Sequence, residues 1–142
     1  MFNLLFDNTS LPVLQQVLSF SEQRQQVLAH NVANFNTPGF RTRDLPVQEF
    51  TQALGQAISR RDNGRPHRFE MDSTDHIAVG PDGRIAATAV EARGLTNYYD
   101  RADRSMERLQ NEMLKNAVWH EMALKLYTTQ SQMLKTAIRG RL

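Results

Sequence analysis

Leu28-Ala-His-Asn-Val-Ala-Asn-Phe-Asn-Thr-Pro-Gly-Phe-Arg-Thr-Arg-Asp44 begins as amphipathic helix and comes to a hard stop. Leu28, Val32 and Phe35 fall at i, i+4 and i+7, one face of an α-helix. Asn31 and Asn34 flank that face, and Asn36, Thr37, Pro38 and Gly39 close it. Proline disfavours the α region for Thr37, and Gly39 can take the positive φ that a sharp exit needs. Asparagines near a helix C-terminus bond free carbonyls or accept left-handed geometry themselves. The residues before this stretch read as one long helix; those after it set off in a new direction.

Upstream, Ser10 is a candidate N-cap, and Pro12 stands in the first turn, where its missing N–H does no harm. Positions 11, 14, 18, 21, 25, 28, 32 and 35 hold Leu, Leu, Leu, Ser, Gln, Leu, Val and Phe, six apolar out of eight at heptad spacing. Gln15, Gln16, Glu22, Gln23 and Gln26 occupy the opposite face. The helix is therefore expected over 11–35, roughly 35 Å long at 1.5 Å per residue. Residues 1–10 read as a flexible tail with a few apolar anchors. The tail lacks a basic n-region and meets Asp7 at once, unlike a secretory signal peptide.

Downstream, Asp44-Leu-Pro-Val-Gln-Glu-Phe50 reads as an extended step into a short helix. Phe50, Ala53, Leu54, Ala57 and Ile58 form its apolar stripe, weakened by Gly55, which costs ~1 kcal/mol against alanine in a helix interior. The basic run Arg60-Arg-Asp-Asn-Gly-Arg-Pro66 ends it as a solvated hinge. Alternation at Phe69-Glu-Met71, Ile77-Ala-Val79 and Ile85 to Val90, with Gly80-Pro-Asp-Gly83 between the last two, predicts a small β-hairpin or mobile excursion. Such an excursion is too short to stand alone. Residues 36–99 thus form a turn, a short helix and an irregular or β segment.

The last helix is expected over 102–138, a stretch free of Pro and Gly. Met106, Met113, His120, Tyr127 and Leu134 recur every seven residues, with Gln110, Ala117, Leu124, Ser131 and Ile138 as companions. A second stripe, Leu114, Val118, Met122, Leu126, Met133 and Ala137, lies off that seam. The fold expected is mainly α: helices 11–35 and 100–140 paired as an antiparallel coiled-coil-like hairpin. Leu14, Leu18, Leu28 and Val32 would meet Met113, Leu124, Tyr127 and Leu134. A hairpin needs one face of the last helix, so the second asks for another partner.

Bulk composition excludes several classes. With 40% hydrophobic and 23% charged residues, the chain is ordinary for a globular domain. A net charge of +2, from 17 Lys+Arg against 15 Asp+Glu, argues for no nucleic acid. There is no cysteine, hence no disulfide and no thiolate chemistry. No apolar run approaches the ~20 residues of a membrane span. His120-Glu-Met-Ala-Leu124 has half of an HExxH zinc motif, but Leu124 stands where the second imidazole must be. His30, His67 and His76 show no ligand spacing, and Asp72, Asp75 and Asp82 do not form a calcium loop. No catalytic, cofactor or metal site is expected.

Taken whole, Leu28 to Phe40 resembles the N-terminal motif of bacterial flagellar axial proteins, in which a leucine and spaced asparagines lead into Thr-Pro-Gly-aromatic. The continuation through Arg41, Arg43 and Asp44 resembles the proximal-rod branch of that family. So do Ser73-Thr-Asp-His-Ile77, Met106-Glu-Arg108, Lys115-Asn-Ala-Val118 and Leu134-Lys-Thr-Ala-Ile138. The chain departs from the branch before the last helix, where Gly94 to Asp100 replaces an Asp-Gly-Asn and Val-Asp entry and Ser105 an acidic residue. The resemblance implies a self-assembling structural subunit of the basal-body rod, working as drive shaft and export channel in the periplasmic space. It implies export through the flagellar type III apparatus without a cleaved signal peptide. Its partners would be other rod subunits and membrane-ring or export-gate proteins. Asn31, Asn34, Asn36, Thr37, Pro38, Gly39 and Phe40 would form the motif turn; Leu114, Val118, Met122, Leu126 and Met133 would face neighbours. A paralogous rod subunit, or a helical-hairpin adaptor or export chaperone, are the alternatives.

Overall fold

The computed structural model describes residues 10–63, 69–92 and 102–140, with side chains for all of these except 102–105. In chain order the elements are α1 (Leu11–Ala33), β1 (Arg43–Asp44), α2 (Val47–Asn63), β2 (Ile77–Val79), β3 (Ile85–Ala87), β4 (Val90–Glu91) and α3 (Ala102–Arg139). The class is mainly α, with the two long helices in contact and small antiparallel strand pairs between them. The expected tail, Ser10 excepted, and the segment Gly94–Asp100 lie outside the described residues. Ser10 does not cap as its side chain suggested. Its carbonyl accepts from Leu14 N–H at 3.0 Å, while the hydroxyl makes no capping bond.

α1 and α3 run antiparallel. Asn116 meets Ser21 and Gln25, Glu112 meets Arg24, and Leu109 packs with Leu28 and Phe35, so rising numbers on one helix meet falling numbers on the other. α1 carries a second inward face, which the heptad pattern does not assign. Phe20 stacks on Phe50 of α2 with ring centroids 4.0 Å apart. Around this pair lie Leu45, Ala53, Ala57, Met71, Ile77 and Ile85, with Val17 and Val27 against the edge. The segment after the motif is therefore no loose excursion. It packs on a second face of α1 and closes the larger of the two cores.

Two ladders, each of two short strands, would be marginal alone. β2 and β3 pair through Ile77–Ala87 and Val79–Ile85 across the Gly80–Gly83 turn, where Gly83 takes φ +76°. β1 pairs with β4, Arg43 opposite Glu91 and Asp44 opposite Val90. Side-chain amides of α1 complete both. The Gln23 amide donates to Ile85 C=O and accepts from Ala87 N–H, each at 2.9 Å, and Gln16 donates to Gly83 C=O at 2.7 Å. Each glutamine stands in for a missing strand edge, satisfying backbone groups that would otherwise be stranded against the helix.

Glu49, in the first turn of α2, holds the approach to β2. Its carboxylate accepts from the Thr74 hydroxyl, from His76 N–H at 3.0 Å and from His76 Nδ1–H at 2.9 Å. These bonds, Thr74 first, lower its pKa from 4.5 to about 2. A depressed carboxylate stabilises the fold above its unfolded pKa, and the contribution disappears as pH falls through the folded value. Amide protection at His76 should accordingly drop between pH 4.5 and about 2 in exchange measurements. The Glu49→Gln protein should show no such step.

Candidate functional site

The motif turn is built from backbone bonds outward. Asn34 closes α1, its backbone N–H and its Nδ2 both donating to the His30 carbonyl, at 3.1 and 2.9 Å. Thr37 N–H then donates to Asn34 C=O and Phe40 N–H to Thr37 C=O. The second bond spans Thr37-Pro38-Gly39-Phe40 with proline at i+1 and glycine at φ +76°, the pattern of a type II turn. Among the described residues no side-chain-bearing residue has positive φ, and Asn31 and Asn34 act through side-chain bonds. Asn36, Thr37 and Pro38 face solvent, while Phe40 tilts against His30 at 5.6 Å.

A Cβ on Gly39 would meet nothing within 4 Å, so a substitution there is opposed by the backbone conformation alone. Gly39→Val is expected to cost about 1–3 kcal/mol in chemical denaturation, with Gly39→Asn milder because asparagine tolerates the left-handed region. Equal losses for the two would refute this account.

Asn31 does something different from capping. It is 1% exposed, and its amide donates to Arg43 C=O while accepting from Arg43 N–H at 3.0 Å. It pins β1 to the helix as a partner strand would. Twelve residues separate the partners, a distance no local rule spans, and the sequence pattern places Asn31 beside the helix end instead. Asn31→Ala should cost about 1–3 kcal/mol, because a buried N–H and C=O lose their partners. Exchange should speed first at the Arg43 amide.

Beyond the pin, Arg24 of α1 ties three elements together. Its guanidinium grips Asp44 of β1 through two bonds, at 2.9 and 2.7 Å, and reaches Glu112 of α3 at 3.0 Å. Those partners, Asp44 first, hold its pKa up against the burial that lowers it. Glu112, bonded chiefly to Lys115 and then to Arg24, is pulled below the ordinary carboxylate value. The Arg-Asp end of the motif thus anchors the turn to both long helices.

The structure places most of the expected seam residues inward. Leu28 is buried; Leu14, Leu18, Val32, Met113, Tyr127 and Leu134 are half-buried. Leu124 is the correction, at 47% exposure. The companion row to Met106, Met113, His120, Tyr127 and Leu134 is Leu109, Asn116, Ala123 and Gln130, three residues on. Gln110, Ala117, Leu124 and Ile138, four residues on, are exposed. Polar Asn116 and Gln130 disguise the true row, and an apolar count favours its neighbour.

The outer face of α3 remains open. Leu114 is 64% exposed and Met133 65%, with Val118, Met122 and Leu126 about half so. Trp119, unselected in the sequence, joins them at 63%. Such a row exceeds the scattered apolar residues of an ordinary surface. Among the described residues there is no cluster of His, Asp or Glu able to hold a metal ion, and no helix long and apolar enough to cross a membrane.

A family model described as flagella basal body rod protein matches residues 18–41, from mid-α1 through the motif turn. The flagellar basal body rod protein FlgB of Aeromonas hydrophila is 29% identical over 134 residues, covering 89% of each chain. The chain is thus similar to flagellar basal body rod proteins along most of its length. The FlgB protein of Salmonella typhimurium is 25% identical over 137 residues, 94% of this chain and 95% of its own. A shorter alignment to FlgB of Escherichia coli reaches 38% over 71 residues, about half of either chain at 49%. Within the rod family match lie Arg24, Leu28, Asn31, Asn34 and the Thr37–Phe40 turn, which here hold α1, β1 and α3 together.

Proposed function

We propose that this chain is a structural subunit of the flagellar rod that assembles with its neighbours through the outer face of α3. The observation that carries this reading is the exposed row Leu114, Val118, Met122, Leu126 and Met133 on a helix whose other face is already occupied. Assembled side by side, such subunits make a tube wall that transmits torque and surrounds the path of later subunits. The resemblance of Arg41, Arg43 and Asp44 to the proximal branch supports a position at the inner end of the rod, in the periplasmic space. Its partners there are other rod subunits and the membrane-ring or export-gate proteins. It reaches that place through the flagellar type III apparatus, and its work is mechanical, without catalysis or cofactor.

The test is a photo-crosslinking amino acid at position 118 or 126 in otherwise intact cells. Adducts with rod subunits in purified basal bodies are expected. Adducts confined to a cytoplasmic export component would favour an adaptor or chaperone instead.

A further inference from the structure

α3 carries apolar residues on two sides. Facing α1, Met106, Leu109, Met113 and Leu134 bracket a polar stretch at Asn116 and His120, while Leu114, Val118 and Met122 are exposed among charged neighbours such as Glu121 and Lys125. Val118 follows Leu109 by about two and a half turns, so these two stand on opposite sides of one cylinder. Burial of apolar surface is not directional and midway along the helix offers two competing faces. Something directional decides between them.

That something is a polar belt midway along the contact. Asn116 Nδ2 donates to Ser21 C=O and to Gln25 Oε1, both at 2.8 Å. Ser21 Oγ donates to Leu18 C=O at 2.9 Å, leaving His120 Nδ1–H as donor to that oxygen at 2.8 Å. Arg24 and Glu112 close the belt at its edge. Ser21 and Asn116 are both buried, so a rotated α3 would break the Asn116 and His120 bonds and set apolar side chains against Ser21 and Gln25. We infer that Ser21, Gln25, Asn116 and His120 are positioning residues that set the rotation of α3 and so decide which row is presented outward. A buried polar contact used this way contributes uniqueness of arrangement more than stability. The consequence for assembly rests on the proposed use of the outer row; the rotational setting itself does not.

Trp119 is the sole tryptophan and, three residues after Asn116, stands exposed at the edge of the contact, so a turn of α3 changes its surroundings. The experiment compares the full-length chain with its Asn116→Ala/His120→Ala and Ser21→Ala/Gln25→Ala variants, which remove the belt without making the inward face greasier. Acrylamide quenching and emission maximum are read at two protein concentrations, with helicity followed by circular dichroism. Both variants are expected to stay helical, with the quenching constant changing by about twofold or more and the emission maximum shifting with it as the surroundings of the indole change. A change independent of concentration separates rotation from self-association. Unchanged quenching in helical variants would overturn the inference. Loss of helicity would overturn it too, since the belt would then supply stability rather than setting. Failure of crosslinking at position 118 or 126 with the quenching change intact would refute the assembly reading alone.

Discussion

Leu126→Glu is expected to abolish swimming while leaving the isolated protein folded. Leu126 stands on the outer face of α3, 49% exposed, and the hairpin does not use it. Surface substitutions of this kind shift stability by roughly 0.5 kcal/mol or less. Inside an assembled wall the same carboxylate would be dehydrated without a partner, a loss of about 3–5 kcal/mol. Since ~1.4 kcal/mol is tenfold in an equilibrium, the contact would weaken by about two orders of magnitude or more, and every subunit in the ring carries the defect. Thermal melting, motility, rods in isolated basal bodies and export of the variant should be measured together, with Gln15→Glu as an exposed control on α1. Normal swimming would sink the assembly reading, and loss of export with an intact outer contact would move the defect to targeting.

Leu28→Ala should act in the opposite way, through the fold. Leu28 is fully buried where α1, Phe35 and Leu109 converge, with Val32, Met106 and Met113 around them. Truncating leucine in such a site costs about 2–5 kcal/mol, the lost transfer energy plus the cavity left behind. For a chain of 142 residues that is roughly 3 °C of melting temperature per kcal/mol, hence a fall of about 6–15 °C. Leu28→Met, which nearly preserves volume, should lose less than about 1.5 kcal/mol. If alanine and methionine behaved alike, the site would be plastic and this core would not hold the hairpin.

The long helices are legible in the sequence because the heptad spacing of Leu28, Val32 and Phe35, and of Met106 and Met113, is a local property of the chain. The glycine at the exit is legible for the same reason: Thr-Pro-Gly-Phe admits few backbone paths, and Gly39 takes the positive φ its type allows. The companion row of α3 is hidden from a criterion that counts apolar residues. Asn116 looks wrong for a seam until Ser21 and Gln25, ninety-odd residues away, are known to face it. Likewise Phe20 falls off the heptad row and gives no sign that it stacks on Phe50. Nothing near Gln23 or Asn31 announces that their amides will pair with backbone at Ile85, Ala87 and Arg43, since those bonds depend on tertiary arrangement.

Those surrogate-strand amides order events in time as well as in space. The ladder at Ile77–Ala87 and the one at Arg43–Glu91 each need a helix already wound, because Gln23 and Asn31 align with their backbone partners only when α1 exists. Extended pairing in this chain is therefore expected to follow a local event. On the export route proposed above, where the chain would travel unfolded, such an order is useful: helix turns melt and reform within microseconds, whereas prematurely paired strands would expose edges to neighbouring copies.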